Sequence, residues 1–123
     1  MRHEALIIRG RIKWFEVLLR IGIAATFFGH GVLALAGNPK WIPLLTAFGF
    51  SDFNAAYLLP VIGGIDVLVA LALLFRPIRL VILWAMIWAF MAALSRPISG
   101  LPLWEFIERA SNWALPLALL WIK

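Results

Sequence analysis

Seven polar side chains lie within or beside long apolar stretches of the sequence. They are Arg20, His30, Asp66, Arg96, Glu105, Glu108 and Asn112. Charged groups at bilayer depth are costly, so they usually face the protein interior and pair with one another. Acids and imidazoles in such places either hold helices in register or exchange protons with a bound molecule. We therefore predict a polar cluster inside a membrane protein, whose members from His30 onward meet in one pocket that opens outward.

The carboxylate of Asp66 is the feature that any function has to explain. Asp66 stands near the middle of the apolar run 58–75 and shares a helix face with Gly63, three residues earlier. A stripe of small residues allows helix backbones to approach, so this face is expected to contact protein and not lipid. We predict that Asp66 lies close to His30 or Arg20 of the first apolar helix, which runs antiparallel to its own.

The first apolar helix carries a polar stripe that contains Arg20 and His30. Glu16 and Arg20 are four residues apart, in the orientation that favours an ion pair along a helix. His30 fits two roles that the sequence leaves open, a structural hydrogen bond or proton transfer and metal ligation. Small residues predict where this helix packs closely against the second one. They are Gly22, Thr26, Gly29 and, on the second helix, Gly63.

A third group of polar residues stands at the start of the last apolar stretch. Glu105, Glu108 and Asn112 share one helix face, and Glu105 is four residues before Arg109, which predicts a local ion pair. Glu108 is left without a local partner. We predict that the segment 95–102 is a loop by its proline and glycine content. It would cover the pocket and bring Arg96 to Glu105 or Glu108.

These side chains have to be positioned by membrane-spanning helices. The chain has 123 residues, 64% of them hydrophobic and 14% charged. Its mean hydropathy of +0.98 is outside the range of soluble domains. A span takes about 20 apolar residues, so we predict an all-α integral membrane four-helix bundle in a single domain, 1–123. The predicted spans are 14–35, 54–75, 78–94 and 103–122, preceded by a polar leader, 1–13. A short interfacial segment is predicted at 40–48.

The distribution of Lys and Arg predicts how the helices are oriented. Eight of the 11 Lys and Arg residues fall on the side of the two termini and three on the other side. Basic residues collect in cytoplasmic loops, so both termini are predicted to lie in the cytoplasm. We predict a multi-pass protein of the cell membrane, which in a prokaryote is the inner membrane.

Composition and residue types exclude several kinds of site. The chain contains no Cys, so disulfides and thiolate metal sites are ruled out. The net charge of +5 comes mostly from residues that flank the spans, which gives no reason to expect nucleic-acid binding. A haem held by two axial histidines is excluded because only His30 lies in a span. A metal site is poorly supported, since His30 and Asp66 supply two ligands where tetrahedral sites need three or four.

Short motifs along the chain resemble the DoxX-like family of small membrane proteins. They are Arg20 with residues 28–31 (FGHG), residues 48–50 (FGF), residues 63–66 (GGID) and residues 104–112 (WEFIERASN). The acid of the second span is commonly Glu in that family and is Asp66 here. The resemblance implies a four-helix fold and a role near membrane redox chemistry.

Three functions remain open from the sequence. The first is an accessory or structural subunit of a larger quinone-linked oxidoreductase, and the second is a quinone-binding redox protein in its own right. The third is a proton- or solute-conducting protein, for which four helices leave little room unless the chain forms a homo-oligomer. Quinone is the cofactor that these hypotheses name, and the lipid bilayer is the partner common to all three.

Overall fold

The structure, a computed structural model, describes residues 2–123; Met1, the first residue of the predicted leader, lies outside them. The described residues form only helices and loops, which confirms the all-α class. The helices are α1 Arg2–Leu35, a short 3-10 helix Pro39–Trp41, α2 Ile42–Thr46, α3 Asp52–Phe75, α4 Arg79–Ile98, α5 Trp104–Ile107 and α6 Ala110–Ile122.

Three of these helices, α1, α3 and α4, are long and apolar enough to cross a membrane. Large apolar side chains also remain exposed over the surface, as lipid-facing residues do; Phe75 is 81% exposed and Trp121 is 87% exposed. The helices therefore support a membrane protein. The predicted span 103–122 is interrupted at residues 108–109, and α6 has 13 residues, about 20 Å of helix.

The helices pack as two close pairs. α3 lies along α1, α4 lies along α6, and α1 also touches α6, whereas α3 and α4 meet at few points. We call the end where α3 and α6 finish the near end, and the end where α1 and α4 finish the far end. The core common to the two pairs consists of apolar side chains from all four helices. It includes Leu19, Ile23, Phe27, Leu73, Ile82, Ala85 and Leu119.

Gly31 and Gly63 mark the closest approach of α1 and α3. A Cβ atom on Gly63 would lie 2.6 Å from the Gly31 carbonyl oxygen, and one on Gly31 would lie 2.9 Å from the Gly63 carbonyl oxygen. The predicted packing residues Gly22 and Gly29 are not at this contact, because no atom lies within 4 Å of a Cβ built on either. The third, Thr26, donates a hydrogen bond to the Gly22 carbonyl oxygen of its own helix at 3.1 Å.

The polar residues at the near end have other partners than predicted. Arg20 does not pair with Glu16; its Nε donates to the Leu73 carbonyl oxygen at 2.8 Å, and its guanidinium also contacts the Leu74 carbonyl oxygen. Carbonyls at a helix C-terminus carry partial negative charge and lack partners in their own helix, which explains this preference. Glu16 accepts instead from Lys123 Nζ at 3.0 Å.

α1 extends well beyond this near end. Every residue from 2 to 15 is exposed and helical, so the predicted polar leader continues the first helix. The residues ahead of Glu16 form an extension about 20 Å long, which we call the stem. Its sequence contains no proline and a single glycine, Gly10, so nothing in it stops the helix.

The predicted loop 95–102 begins later than expected, because α4 continues through Pro97 to Ile98. A proline in the last turn removes only one hydrogen bond there. Gly100, two residues after the end of α4, has φ 98° and turns the chain away from the helix axis. The Gly100 amide donates to the Pro97 carbonyl at 3.1 Å and the Leu101 amide to the Arg96 carbonyl at 3.1 Å, the paired bonds of a glycine helix stop.

Candidate functional site

A cavity of about 440 Å³ lies between the two helix pairs, toward the far end. Its volume is at the lower end of the range for ligand pockets, roughly 300–1,000 Å³. The walls are mainly apolar and aromatic, with a few polar groups among them. The apolar lining includes Phe27, Trp41, Leu44, Leu45, Phe48, Leu59, Ile62, Trp88, Ala89, Met91 and Ala92, and the polar lining includes Thr26, His30, Asp66, Ser95, Arg96, Arg109 and Asn112.

The 3-10 helix and α2 cover this cavity at the far end. We call these two elements the cover. Trp41, Leu44 and Leu45 of the cover line the cavity, and α2 touches both α3 and α4. Asn38 caps the start of the 3-10 helix, because its side chain accepts a hydrogen bond from the Lys40 amide at 3.2 Å. Pro39 suits the first helical position. The cover occupies most of the segment predicted to lie in the interface, 40–48.

Asp66 lines the cavity and is only 5% exposed. Its Oδ1 atom is buried and has no hydrogen-bond partner among the described residues. Among the described residues, neither Arg20 nor His30 donates a hydrogen bond to Asp66. Arg20 lies at the near end, where the last carbonyls of α3 occupy it. His30 lines the same cavity as Asp66 without a hydrogen bond to it.

His30 stands on α1 between the cavity and the cover. Its ring meets the ring of Trp41 edge to face, with centroids 5.5 Å apart and planes inclined at 81°. The side chain is otherwise open, since the residue is exposed although it lines the cavity. His30 can thus offer one ring nitrogen as a donor or an acceptor to a molecule in the cavity.

Arg96 also lines the cavity, and its Nε atom is buried without a hydrogen-bond partner. Within the described residues no carboxylate lies within ion-pair distance of Arg96, so the predicted pairing with Glu105 or Glu108 is wrong. Counted along α3 and α4 from the turn that joins them, Arg96 is about 12 Å nearer the far end than Asp66. Unpaired polar groups therefore face the cavity at two levels.

Arg109 is the ion-pair partner of the two acids, a role that was predicted for Arg96. Its Nη1 donates to Glu105 Oε2 at 2.7 Å and to Glu108 Oε1 at 2.8 Å, and also to the Glu105 carbonyl oxygen at 2.8 Å. The predicted pair of Glu105 and Arg109 is confirmed. Both acids are partly exposed, so these ion pairs add little stability. They hold the Arg109 side chain at the rim of the cavity.

The structure brings four of the seven sequence-predicted polar residues to the cavity, namely His30, Asp66, Arg96 and Asn112. Glu105 and Glu108 stand behind Arg109 outside the lining, and Arg20 is at the other end of the molecule. Sequence reasoning missed Arg109, Trp41 and Ser95 as lining residues. The sequence showed that Arg109 is charged, but whether its side chain points toward the cavity depends on the break between α5 and α6.

The polar groups do not form a metal site. No group of three or more His, Asp or Glu side chains within residues 2–123 stands close enough together to hold a metal ion. What the cavity offers is hydrogen bonding within an apolar, aromatic enclosure. Arg96 and Asn112 supply donors, Asp66 supplies an acceptor when ionised, and His30 supplies either.

Comparison with protein-family models, with curated proteins and with solved structures gives no match to this chain. The resemblance to DoxX-like proteins thus remains a prediction from short motifs. The cavity and the surfaces around it are therefore the features that indicate what this protein does.

Proposed function

We propose that this protein binds a quinone-type molecule in its intramembrane cavity, as a small accessory protein of a quinone-linked oxidoreductase. The observation that supports this most is an apolar, aromatic cavity lined by unpaired polar groups at two levels. A quinone ring is flat, apolar on its faces and carries oxygen atoms at opposite edges. Such a ring can pack against Trp88 and Phe27 while one of its oxygens accepts a hydrogen bond from Arg96 or Asn112. In the reduced quinol form, the hydroxyl at the opposite edge can donate to the Asp66 carboxylate at the second level.

The proposal includes the membrane arrangement of the chain. We propose four spans, with α5 and α6 together forming the fourth, in the cell membrane. The near end carries the stem and the Arg76 turn with most of the Lys and Arg residues. By the distribution of positive charge, this end and both termini lie in the cytoplasm. The cavity then lies in the outer half of the bilayer, where a lipid-soluble ligand is available.

Quinone binding can be measured directly because Trp41 and Trp88 line the cavity. Titration of the purified protein with decylubiquinone is expected to quench tryptophan fluorescence to a saturating level. Ala92→Phe should abolish the saturable part, because Ala92 lines the cavity and a phenyl ring there fills the space that the quinone ring needs.

Ala56→Phe is the matched control, since Ala56 is an exposed alanine of α3 that does not line the cavity. Its titration should coincide with that of the wild type. Quenching that rises without saturation, equally in all three proteins, would reflect partition into detergent and would contradict the proposal.

The accessory role is supported by the stem. Ala5, Ile8, Ile12 and Phe15 follow each other at spacings of three and four residues, which places them on one stripe of the helix. Ile8 is 56% exposed and Ile12 47%. An exposed apolar stripe on a helix that projects from the packed helices is typical of a protein-binding surface. The surrounding Arg9, Arg11 and Lys13 would complement an acidic surface on the partner.

The partner is expected to dock on this stripe. Extracted in mild detergent, the wild type should migrate on native gels with a larger oxidoreductase, and Ile12→Asp should release it as a small species. Leu6→Asp is the control, because Leu6 is also an exposed apolar residue but lies on another face of the stem. If the wild type migrates alone although the oxidoreductases in the same membrane extract stay intact, the accessory role is contradicted.

A further inference from the structure

We infer that the ligand of the cavity has a long apolar tail that leaves between α3 and α4 into the bilayer. This inference rests on the proposed function, because it concerns the ligand of the same cavity. It selects tailed lipids over water-soluble ring compounds, and it assigns the α3–α4 opening as the path of exchange.

The arrangement of helices leaves this side of the cavity open. α3 and α4 are joined by a short turn at the near end, yet each packs along another helix, α3 along α1 and α4 along α6. They make few contacts with each other beyond the turn. The two helices thus diverge toward the far end, and the cavity lies between them.

The other route, toward water at the far end, is blocked by apolar groups. The cover places Trp41, Leu44 and Leu45 across the cavity, and the Trp41 ring is held against His30. Phe48 and Phe50 continue this apolar surface after α2. A polar or charged molecule that entered on the side of the cover would have to pass these apolar side chains.

The edge of the opening is apolar on both helices. Leu58 and Ile62 of α3 and Met91 of α4 line the cavity, and Met91 is also 39% exposed, so it stands where the cavity meets the surface. Phe90, about 100° away round α4, packs edge to face on Trp113 of α6, with ring centroids 5.6 Å apart. Met91 therefore lies on a side of α4 that both lines the cavity and reaches the surface.

The volume of the cavity also separates head from tail. About 440 Å³ holds a substituted ring and the first part of a chain. A long prenyl or alkyl chain has to continue outside, and the apolar opening beside Met91 is the continuous path from the ring site to lipid. The buried polar groups Asp66 and Arg96 would hold the head inside.

The chain has no cysteine, so a single introduced cysteine can report on the opening. Met91→Cys is treated with a lipid-soluble maleimide in the presence of either of two fully substituted quinones. One is 2,3-dimethoxy-5-methyl-6-decyl-benzoquinone and the other has a methyl group in place of the decyl chain. Ile87→Cys is the control, an exposed α4 position one turn away that does not line the cavity. Tryptophan quenching, measured on the same samples, reports occupancy of the ring site.

The decyl quinone, at about ten times its Kd, should slow the labelling of Met91→Cys about tenfold, since about one site in ten then stays free. The methyl quinone should quench tryptophan without slowing that labelling, and neither compound should protect Ile87→Cys. If both quinones quench but protect Met91→Cys equally, or not at all, the tail does not pass this opening and the inference is wrong. If neither quenches in a saturable way, the proposed function fails, and the inference fails with it.

Discussion

Replacing Asp66 with leucine is expected to raise the thermal stability of the protein in detergent while it weakens binding of the reduced quinol. Asp66 is 5% exposed and its Oδ1 has no partner among the described residues. A buried polar group left without a hydrogen bond costs about 1–3 kcal/mol, and leucine, which has the same branching and can extend into the cavity, removes that cost. A hydrogen bond from a quinol hydroxyl to the ionised carboxylate is worth about 1.5–3 kcal/mol, so the affinity for the quinol should fall about 10- to 100-fold.

Melting curves of the variants, and titrations of the same preparations with the quinol form of decylubiquinone, test this prediction. Asp66→Asn keeps the shape and removes the charge, so it should weaken binding with a smaller gain in stability. Asp52→Leu is the control, because Asp52 is the other aspartate of α3 and lies exposed in its first turn. A lower melting temperature for Asp66→Leu would show that the carboxylate has a stabilising partner. Recovery of that loss by a second change at His30 would then identify His30 as the partner.

Gly63→Ala is expected to be the most damaging of the small substitutions in this chain. Its methyl group would lie 2.6 Å from the Gly31 carbonyl oxygen and 2.6 Å from the Leu35 amide nitrogen. Both are backbone atoms, so α1 and α3 have to separate along their longest contact. Overpacking of this kind costs typically about 1–3 kcal/mol and more where the backbone has to move. The loss should appear in unfolding by denaturant or heat in detergent.

Gly64→Ala and Gly29→Ala are the controls, because a Cβ at either position meets no atom within 4 Å. Both should unfold like the wild type or slightly later, since alanine favours a helix over glycine. Gly31→Ala should resemble Gly63→Ala, as it faces the same contact from the other helix. Equal stability of Gly63→Ala and Gly64→Ala would mean that α1 and α3 do not approach as closely as the structure has them.

These two predictions separate the roles of neighbouring residues on one face of α3. Gly63 serves packing, and its loss should harm the fold whatever the ligand is. Asp66 sits one turn away in the same stripe, and its loss should harm binding while it helps the fold. A buried acid that lowers stability is retained when it has a task, and the cavity supplies one.

Local interactions in this protein could be predicted from the sequence. The long apolar stretches predict α1, α3 and α4 because helix formation in lipid depends on the composition of each segment alone. The pairing of Glu105 with Arg109 was predictable because residues four apart on a helix are neighbours whatever surrounds them. The concentration of His30, Asp66, Arg96 and Asn112 toward one end also followed from the positions of the helices along the chain.

Which face of each helix is buried was decided only by the tertiary structure. In a soluble protein the apolar stripe reveals the buried face, but lipid-facing and protein-facing residues of a membrane helix are both apolar. Gly29 and Gly31 are therefore equivalent in the sequence, and only the packing of α1 on α3 selects Gly31. Arg20 bonds to the last carbonyls of α3 and not to Glu16, and this preference depends on the distance between α1 and α3. The cavity itself depends on the divergence of α3 from α4 and on the cover that closes it, because its lining comes from segments far apart in the chain.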